Sequence, residues 1–174
     1  MTEYPFIDKP YAFTVCRIEP ENNIHIILDA FSDSPPFALV MVGNWRYSDY
    51  GTNLRKTFES KPNIFLLDPI YDIQKLNSLR SNCVLYLHGH SCGGTNPSLV
   101  EAMYLGLPIA AYDINFNRET TENQALYFNS ADNLNKICSE VNLDTLHNVA
   151  SAMKAIAEKR YNWVRISNLY AKLL

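Results

Sequence analysis

The chain lacks several features that would assign it directly to a protein class. None of its apolar runs reaches the roughly 18 residues that span a bilayer, and its first residues do not follow a secretory signal pattern. Its 15 lysines and arginines form no extended cluster and its formal net charge is -3, which argues against a nucleic-acid-binding protein. We therefore expect a soluble, cytoplasmic protein that does not bind nucleic acid.

Cysteine is scarce, and its positions do not form a ligand pattern. Cys16, Cys83, Cys92 and Cys138 include no pair at the spacing of zinc ligands, and three of them lie in or beside apolar segments. We expect all four to be reduced thiols. Cys92 lies in a glycine-rich loop, where it is either a reactive thiol or, as we expect, a small residue that the loop tolerates.

Two common nucleotide-binding signatures are also missing. The turn after the first predicted strand, at residues 17–23, contains no glycine, so the G-x-G-x-x-G fingerprint of dinucleotide-binding proteins is absent. No P-loop sequence is present either. Any nucleotide is therefore held differently from the way in which dehydrogenases and P-loop enzymes hold theirs.

The most informative stretch that is present is a glycine-rich loop between an apolar run and a helix start. The apolar runs at residues 83–87 and 108–112 are typical of buried strands, and their separation is that of a β-α-β unit. Gly93 and Gly94 have no Cβ, so a ligand can approach the backbone closely. Asn96 before a proline predicts a helix start, because asparagine caps the first turn and proline fits the first helical position.

Such a helix start is a potential anion site. Its unpaired N–H groups and the positive end of the helix dipole face the loop, and phosphate is the usual ligand there. The alternative interpretation is a glycine-rich turn with no ligand. These residues alone do not decide between the two.

Strand-like and helical segments alternate along the rest of the chain. Further strands are predicted at residues 11–16, 37–42, 63–67 and 125–128, and helices at residues 23–31, 50–60, 73–80, 130–141, 144–159 and 161–174. An alternation of about six strands with helices predicts an α/β fold with a doubly wound, mostly parallel sheet. Residues 17–23 and 114–123 are predicted as polar loops that follow the carboxyl ends of strands, where open α/β sheets bind ligands.

The two ends of the chain flank this sheet. Residues 1–10 contain two prolines and no periodicity, which predicts an extended linker. Residues 161–174 place Trp163, Ile166, Tyr170 and Leu173 on one helical stripe, which we expect to pack in the core.

The sequence resembles the C-terminal half of a GT-B glycosyltransferase, of the large retaining group 1 family that uses nucleotide-sugar donors. Residues 16–23 are similar to that family's Gly-Arg-loop-Lys-Gly turn, with Arg17 at the position of its arginine. Residues 97–108 are similar to its donor-binding helix, and residues 161–163 to the start of its closing helix. The sequence of residues 88–97 and 116–119 is similar to that of a bacterial branch that contains rhamnosyltransferases of capsule and O-antigen assembly. The resemblance covers nearly the whole chain. It implies a Rossmann-like nucleotide-sugar-binding domain at residues 11–160, with residues 161–174 as its closing helix.

The resemblance also implies roles for site residues. Glu101 would accept hydrogen bonds from the ribose hydroxyls of the donor, as a carboxylate can. The loop of Gly93, Gly94, Thr95 and Asn96 would hold the distal phosphate with its amides. Arg17 would neutralise the leaving diphosphate as its charge grows. Without the resemblance, the preferred interpretation of Glu101 is a first-turn glutamate that stabilises its helix dipole, and Arg17 is a solvated surface residue.

This chain departs from the family pattern at two positions. The family usually carries a lysine five residues after the arginine, where this chain has Asn22, and Arg118 is our candidate for the missing cation. The family often has a second glutamate eight positions before the ribose-binding one, where this chain has Gly93.

Contacts with the sugar are therefore expected from other residues. His90, His88 and Glu119 are the candidates, and no catalytic residue is assigned. We expect no metal, because two histidines without a third ligand nearby seldom bind one.

The function implied by the resemblance is that of a donor-binding domain. It would serve a transferase of a hexose or deoxyhexose, with rhamnose suggested by the branch, in bacterial surface polysaccharide synthesis. The nucleotide-sugar donor is the only small ligand expected, with no cofactor. An acceptor domain on the N-terminal side would bind the glycan or lipid-linked acceptor and provide any peripheral membrane association, so that this half alone would be inactive. Two alternatives stay open: a non-enzymatic interaction module on the same fold, and a fragment of a GT-B-like sugar-nucleotide epimerase.

Overall fold

A computed structural model describes residues 4, 6, 8–32 and 35–171. Six strands form one sheet: β1 (Tyr11–Val15), β2 (Ala38–Val42), β3 (Ile64–Leu67), β4 (Leu85–His88), β5 (Ile109–Tyr112) and β6 (Leu126–Phe128). Their order is β3-β2-β1-β4-β5-β6, and every neighbouring pair is parallel. The sheet confirms the predicted doubly wound α/β fold.

Among the residues that the structure describes, eight α-helices connect and follow the strands. They are α1 (Ile24–Ser32), α2 (Asp49–Phe58), α3 (Ile73–Ser81), α4 (Pro97–Tyr104), α5 (Asn115–Thr120), α6 (Ala131–Glu140), α7 (Leu143–Arg160) and α8 (Trp163–Ala171). Polar side chains cap several of them: Ser48, Asp72, Asn96, Ser130 and Asn142 each accept a hydrogen bond from a first-turn amide. These capping residues explain why most helix starts are visible in the sequence.

The two faces of the sheet carry separate hydrophobic cores. Alternate strand residues such as Phe13 and Tyr86 pack with α3, α4 and α7 on one face. Their neighbours, such as Ala12 and Leu85, pack with α1, α2 and α6 on the other face. Because both faces are covered by helices, the strands are almost continuously apolar, as expected for a parallel sheet.

The structure corrects the prediction that residues 114–123 form a loop. Residues 115–120 form α5 instead, a helix of six residues. Its start has no side-chain cap, and buried Asn117 anchors it by donating hydrogen bonds to the backbone oxygens of His90 and Tyr112. A helix this short shows no periodicity, and contacts with distant residues hold it in place.

The predicted apolar stripe of the last helix is wrong at Tyr170, which is 68% exposed. Ile166 is partly buried. The side chain of Trp163 and all of Leu173 lie outside the described residues. An aromatic ring at a core spacing is therefore not always buried, particularly near a chain end.

Phe6, within the segment predicted as a linker, packs into the core. Its side chain is 1% exposed, and its ring centroid lies 5.4 Å from that of Tyr11 and 4.8 Å from that of Phe65. The core on the α3 and α4 face of the sheet therefore includes a residue that precedes β1 in the chain. The domain boundary at residue 10 remains a prediction.

We predict that Phe6→Ala lowers the free energy of unfolding by about 3 kcal/mol, because it removes a fully buried ring. Urea denaturation of both proteins at neutral pH measures the difference. Tyr47→Ala, which removes an exposed ring, is the matched control and should change stability by less than about 0.5 kcal/mol. Equal effects of the two substitutions would contradict the packing of Phe6.

Candidate functional site

A cavity of about 330 Å³ lies at the carboxyl ends of β1 and β4. These strands are neighbours in the sheet, but β1 leads to α1 on one face and β4 leads to α4 on the other. The cavity therefore occupies the point where the direction of winding reverses, which is where open α/β sheets bind ligands. Its lining residues are Thr14, Val15, Cys16, Arg17, Asn22, His88, Gly89, His90, Asn96, Pro97, Ser98 and Glu101.

Two asparagines join the loops on either side of this cavity. Nδ2 of Asn22 donates to the backbone oxygen of Arg17 and its Oδ1 lies 2.8 Å from Nδ1 of His90. Nδ2 of Asn23 donates to the backbone oxygen of Gly89 over 2.8 Å. A Cβ at position 89 would overlap the backbone oxygen of Asn22, so the close approach of the two loops requires glycine there. Asn22, where the family pattern has lysine, thus orients a histidine ring.

The loop before α4 presents donors to solvent. The Asn96 side chain accepts hydrogen bonds from the backbone N–H and the hydroxyl of Ser98, over 3.0 and 2.9 Å. Among the described residues, none accepts a hydrogen bond from the backbone N–H groups of residues 92–96. Gly93 has a φ of 80°, a left-handed conformation that favours glycine. The loop therefore combines an open backbone with a helix N-terminus, the combination that binds anions.

Arg17 and Glu101 bring opposite charges to the cavity. The side chain of Arg17 is 76% exposed and forms an ion pair with Glu21 over 2.8 Å. Because the pair lies in water, it stabilises the fold little, and its guanidinium can exchange partners. Glu101 lies on the second turn of α4, and its Oε2 accepts a hydrogen bond from Nη1 of Arg80 over 2.7 Å.

His88 forms a neutral part of the cavity wall. Burial, with a smaller effect from His90, lowers its pKa from 6.5 to about 3. Its Nε2 is buried, and none of the described residues provides a hydrogen-bond partner for it. The ring is therefore uncharged at neutral pH, and positive charge in this cavity comes from Arg17.

Five of the predicted site residues line the cavity together: Arg17, His88, His90, Asn96 and Glu101. Gly93, Gly94 and Thr95 lie outside its lining, in the exposed loop that leads into α4. The Thr95 hydroxyl lies 3.2 Å from that of Thr120 on α5.

The remaining two predicted residues, Arg118 and Glu119, contact other parts of the protein. Arg118 binds both carboxylate oxygens of Asp113, with 2.8 Å between its Nη2 and Oδ2, and its guanidinium lies 4.1 Å from the Tyr127 ring centroid. This pairing lowers the pKa of Asp113. Glu119 pairs with Arg160 over 3.2 Å. Their roles toward a ligand remain predictions.

Sequence reasoning gave no site role to Arg80 or Asn117. Arg80 contacts Glu101 from another helix, and Asn117 supports the backbone of His90. Neither has a sequence signal, because each depends on a contact with a residue more than twenty positions away.

Two other kinds of site are not found among the described residues. No group of three or more histidine, cysteine, aspartate or glutamate side chains in that part of the chain is arranged to hold a metal ion. Within the same residues, each helix is too short or too polar to cross a lipid bilayer.

The fold and the cavity define a doubly wound α/β protein with a ligand crevice at the reversal of strand order. The chain matches the model of the family "Glycosyl transferases group 1" over residues 4–163, and it belongs to that family. No curated protein sequence matches it significantly.

Several solved glycosyltransferase structures are similar to this chain. HepE from Anabaena, in complex with UDP and glucose, has a TM-score of 0.79 at 22% identity, over 94% of this chain and 47% of HepE. Sucrose-phosphate synthase from Thermosynechococcus elongatus gives 0.77 at 18% identity, over 96% of this chain and 46% of the synthase. The chain thus spans about half the length of these two relatives.

A C-terminal domain solved alone is also similar. This is the domain of the group 1 glycosyl transferase LpcC from Francisella tularensis, with a TM-score of 0.69 at 16% identity, over 88% of this chain and 86% of the domain. These likenesses describe the fold, which is the GT-B type of Rossmann-like half.

We predict that His88 makes the protein acid-sensitive. Its stabilising effect is complete above pH 6.5, the ordinary pKa, and is lost as the pH falls toward about 3, because only the unfolded chain then binds the proton. The slope attributable to His88 should be about 1.4 kcal/mol of unfolding free energy per pH unit. Urea denaturation between pH 6.5 and 4.5 measures it.

His88→Gln should remove this part of the pH dependence. The matched control is His147→Gln, at an exposed histidine of α7, which should retain the wild-type slope. Identical slopes for wild type and His88→Gln would show that His88 is not held neutral by burial.

Proposed function

We propose that this chain is the donor-binding domain of a glycosyltransferase and that it binds a nucleoside diphosphate sugar in the cavity at the ends of β1 and β4. The observation that carries the proposal is the convergence of Arg17, the N-terminus of α4 and Glu101 on one cavity. Family membership and the complex of HepE with UDP and glucose support it.

The diphosphate is assigned to the positive side of the cavity. Arg17 offers a guanidinium whose present partner, Glu21, is a weak surface pair. The open N–H groups at residues 92–96 offer further donors. A diphosphate in place of the Glu21 carboxylate gains charge-assisted hydrogen bonds from both.

The ribose is assigned to Glu101. This carboxylate lies one turn beyond the phosphate-binding end of α4, and a diol donates readily to carboxylate oxygens. His90, oriented by Asn22, is assigned to the diphosphate or the sugar, on the cavity side of the same loop.

We further propose that the transferred group is a hexose or deoxyhexose, with rhamnose as the specific candidate, and that the product belongs to a bacterial surface polysaccharide. In this proposal the acceptor is bound by another domain, consistent with the half-length coverage of HepE and sucrose-phosphate synthase. Sugar transfer by this chain alone would contradict the proposal that this domain binds the donor and another domain binds the acceptor.

Isothermal titration calorimetry with UDP, GDP and dTDP tests the proposal. At least one of them should bind, and Arg17→Gln and Glu101→Gln should each weaken binding by about tenfold or more, the effect of losing a hydrogen bond to a charged group. Titrations with UDP-glucose and UDP-rhamnose, which carry the same ribonucleotide, then compare candidate sugars.

Arg165→Gln and Glu158→Gln are the matched controls, because they remove the same charges at exposed positions outside the cavity. Both should bind as wild type does. Failure of all three nucleotides to bind would overturn the proposal and favour an interaction module on the same fold.

A further inference from the structure

A buried arginine outside the cavity contacts the carboxylate of Glu101. Arg80 lies in the last turn of α3, and its side chain is only 5% exposed. Its Nη1 donates to Oε2 of Glu101 over 2.7 Å. The Glu101 side chain is 59% exposed and faces the cavity. One partner of this ion pair is thus inside the protein, and the other faces the site.

Because the Arg80 guanidinium is buried, it needs a negatively charged partner to be stable there. A buried guanidinium is strongly unfavourable unless a carboxylate pairs with it. Within the described part of the chain, Glu101 is the only carboxylate that pairs with Arg80, and Nε of Arg80 is buried without a hydrogen-bond partner. The Glu101 conformation that preserves the contact is therefore favoured over the other rotamers that an exposed glutamate samples.

The contact leaves most of the carboxylate available to a ligand. Oε1 of Glu101 accepts no hydrogen bond from any residue that the structure describes. A carboxylate has about four acceptor positions, of which Arg80 occupies one. A carboxylate that is held in one orientation and has free acceptor positions is suited to a pair of neighbouring hydroxyls.

We propose that Arg80 is a positioning residue for nucleotide recognition. It holds the Glu101 carboxylate in one orientation, so that this carboxylate accepts hydrogen bonds from both the 2′ and 3′ hydroxyls of a ribose. Arg80 itself does not touch the ligand. This inference rests on the proposed function, and it adds that the site selects ribonucleotides over 2′-deoxyribonucleotides through an arginine of another helix.

Calorimetry with UDP and dUDP tests this role, and GDP and dGDP replace them if GDP binds more tightly. The measured quantity is the ratio of the two dissociation constants. Wild type should favour UDP by about tenfold, since dUDP lacks one hydroxyl partner of a charged group. Arg80→Gln should reduce the preference to about twofold, as should Glu101→Gln, and the double variant should match Glu101→Gln because Arg80 acts through Glu101.

The ratio separates recognition from stability. Partial unfolding lowers the affinities for both nucleotides by the same factor, so a merely structural role of Arg80 leaves the ratio unchanged. Arg55→Gln is the matched control, because it breaks another arginine–carboxylate pair, between α2 and Asp68 in the loop after β3, outside this cavity. If Arg80→Gln yields no folded protein, Arg80→Lys replaces it, with an expected ratio between those of wild type and Glu101→Gln.

Each contrary outcome has a distinct meaning. A wild-type ratio in the Arg80 variant, with a reduced one in Glu101→Gln, would overturn the inference and leave the proposed function intact. Equal binding of UDP and dUDP by wild type, or binding of dTDP alone, would also overturn it. If none of UDP, GDP and dTDP binds, the proposed function fails and the inference fails with it.

Discussion

The close contact between the loops that follow β1 and β4 is the constraint on which the site depends. These loops leave the sheet toward opposite faces, and a ligand crevice exists only because they remain together at their bases. Asn22 and Asn23 hold them with side-chain hydrogen bonds, and Gly89 permits an approach that any side chain would prevent. The backbone N–H and the hydroxyl of Ser91 also donate to the backbone oxygen of Glu21.

The electrostatics of the crevice follow from what this contact leaves exposed. Arg17 and the backbone N–H groups before α4 remain in reach of solvent, whereas His88 is buried and uncharged. The Arg80 guanidinium is buried in the protein interior, where it pairs with Glu101. The crevice therefore combines the guanidinium of Arg17 and the open N–H groups before α4 with the carboxylate of Glu101.

Much of the fold could be predicted from the sequence because its signals are local. Continuous apolar runs indicate strands covered on both faces, and capping residues such as Asp72 and Asn96 mark helix starts. The helix α5 could not be predicted, because Asn117 stabilises it through distant backbone atoms. The exposure of Tyr170 was missed because spacing alone does not show whether another element covers a residue.

The candidate site was predictable only in part for the same reason. The glycine-rich loop, Asn96 and Glu101 lie together in the sequence, but the pairing of Glu101 with Arg80 and of His90 with Asn22 depends on tertiary structure. Arg118 follows the carboxyl end of a strand as predicted, yet its guanidinium is already paired with Asp113. The position of a strand in the sheet therefore indicates which loops lie close together. Whether a side chain in such a loop can bind a ligand depends on the partners that it already has in the protein.

The central claim is that a nucleoside diphosphate binds between these two loops. The most direct measurement is an NMR titration of the ¹⁵N-labelled chain with UDP, GDP and dTDP, following every backbone amide. Saturable shifts are expected at Arg17, at Gly93 to Thr95 and at Ser98 for at least one nucleotide. Shifts confined to another surface, such as the groove beside α6 and α7 that Cys138, Val141 and Leu146 line, or no shifts with any of the three, would contradict it.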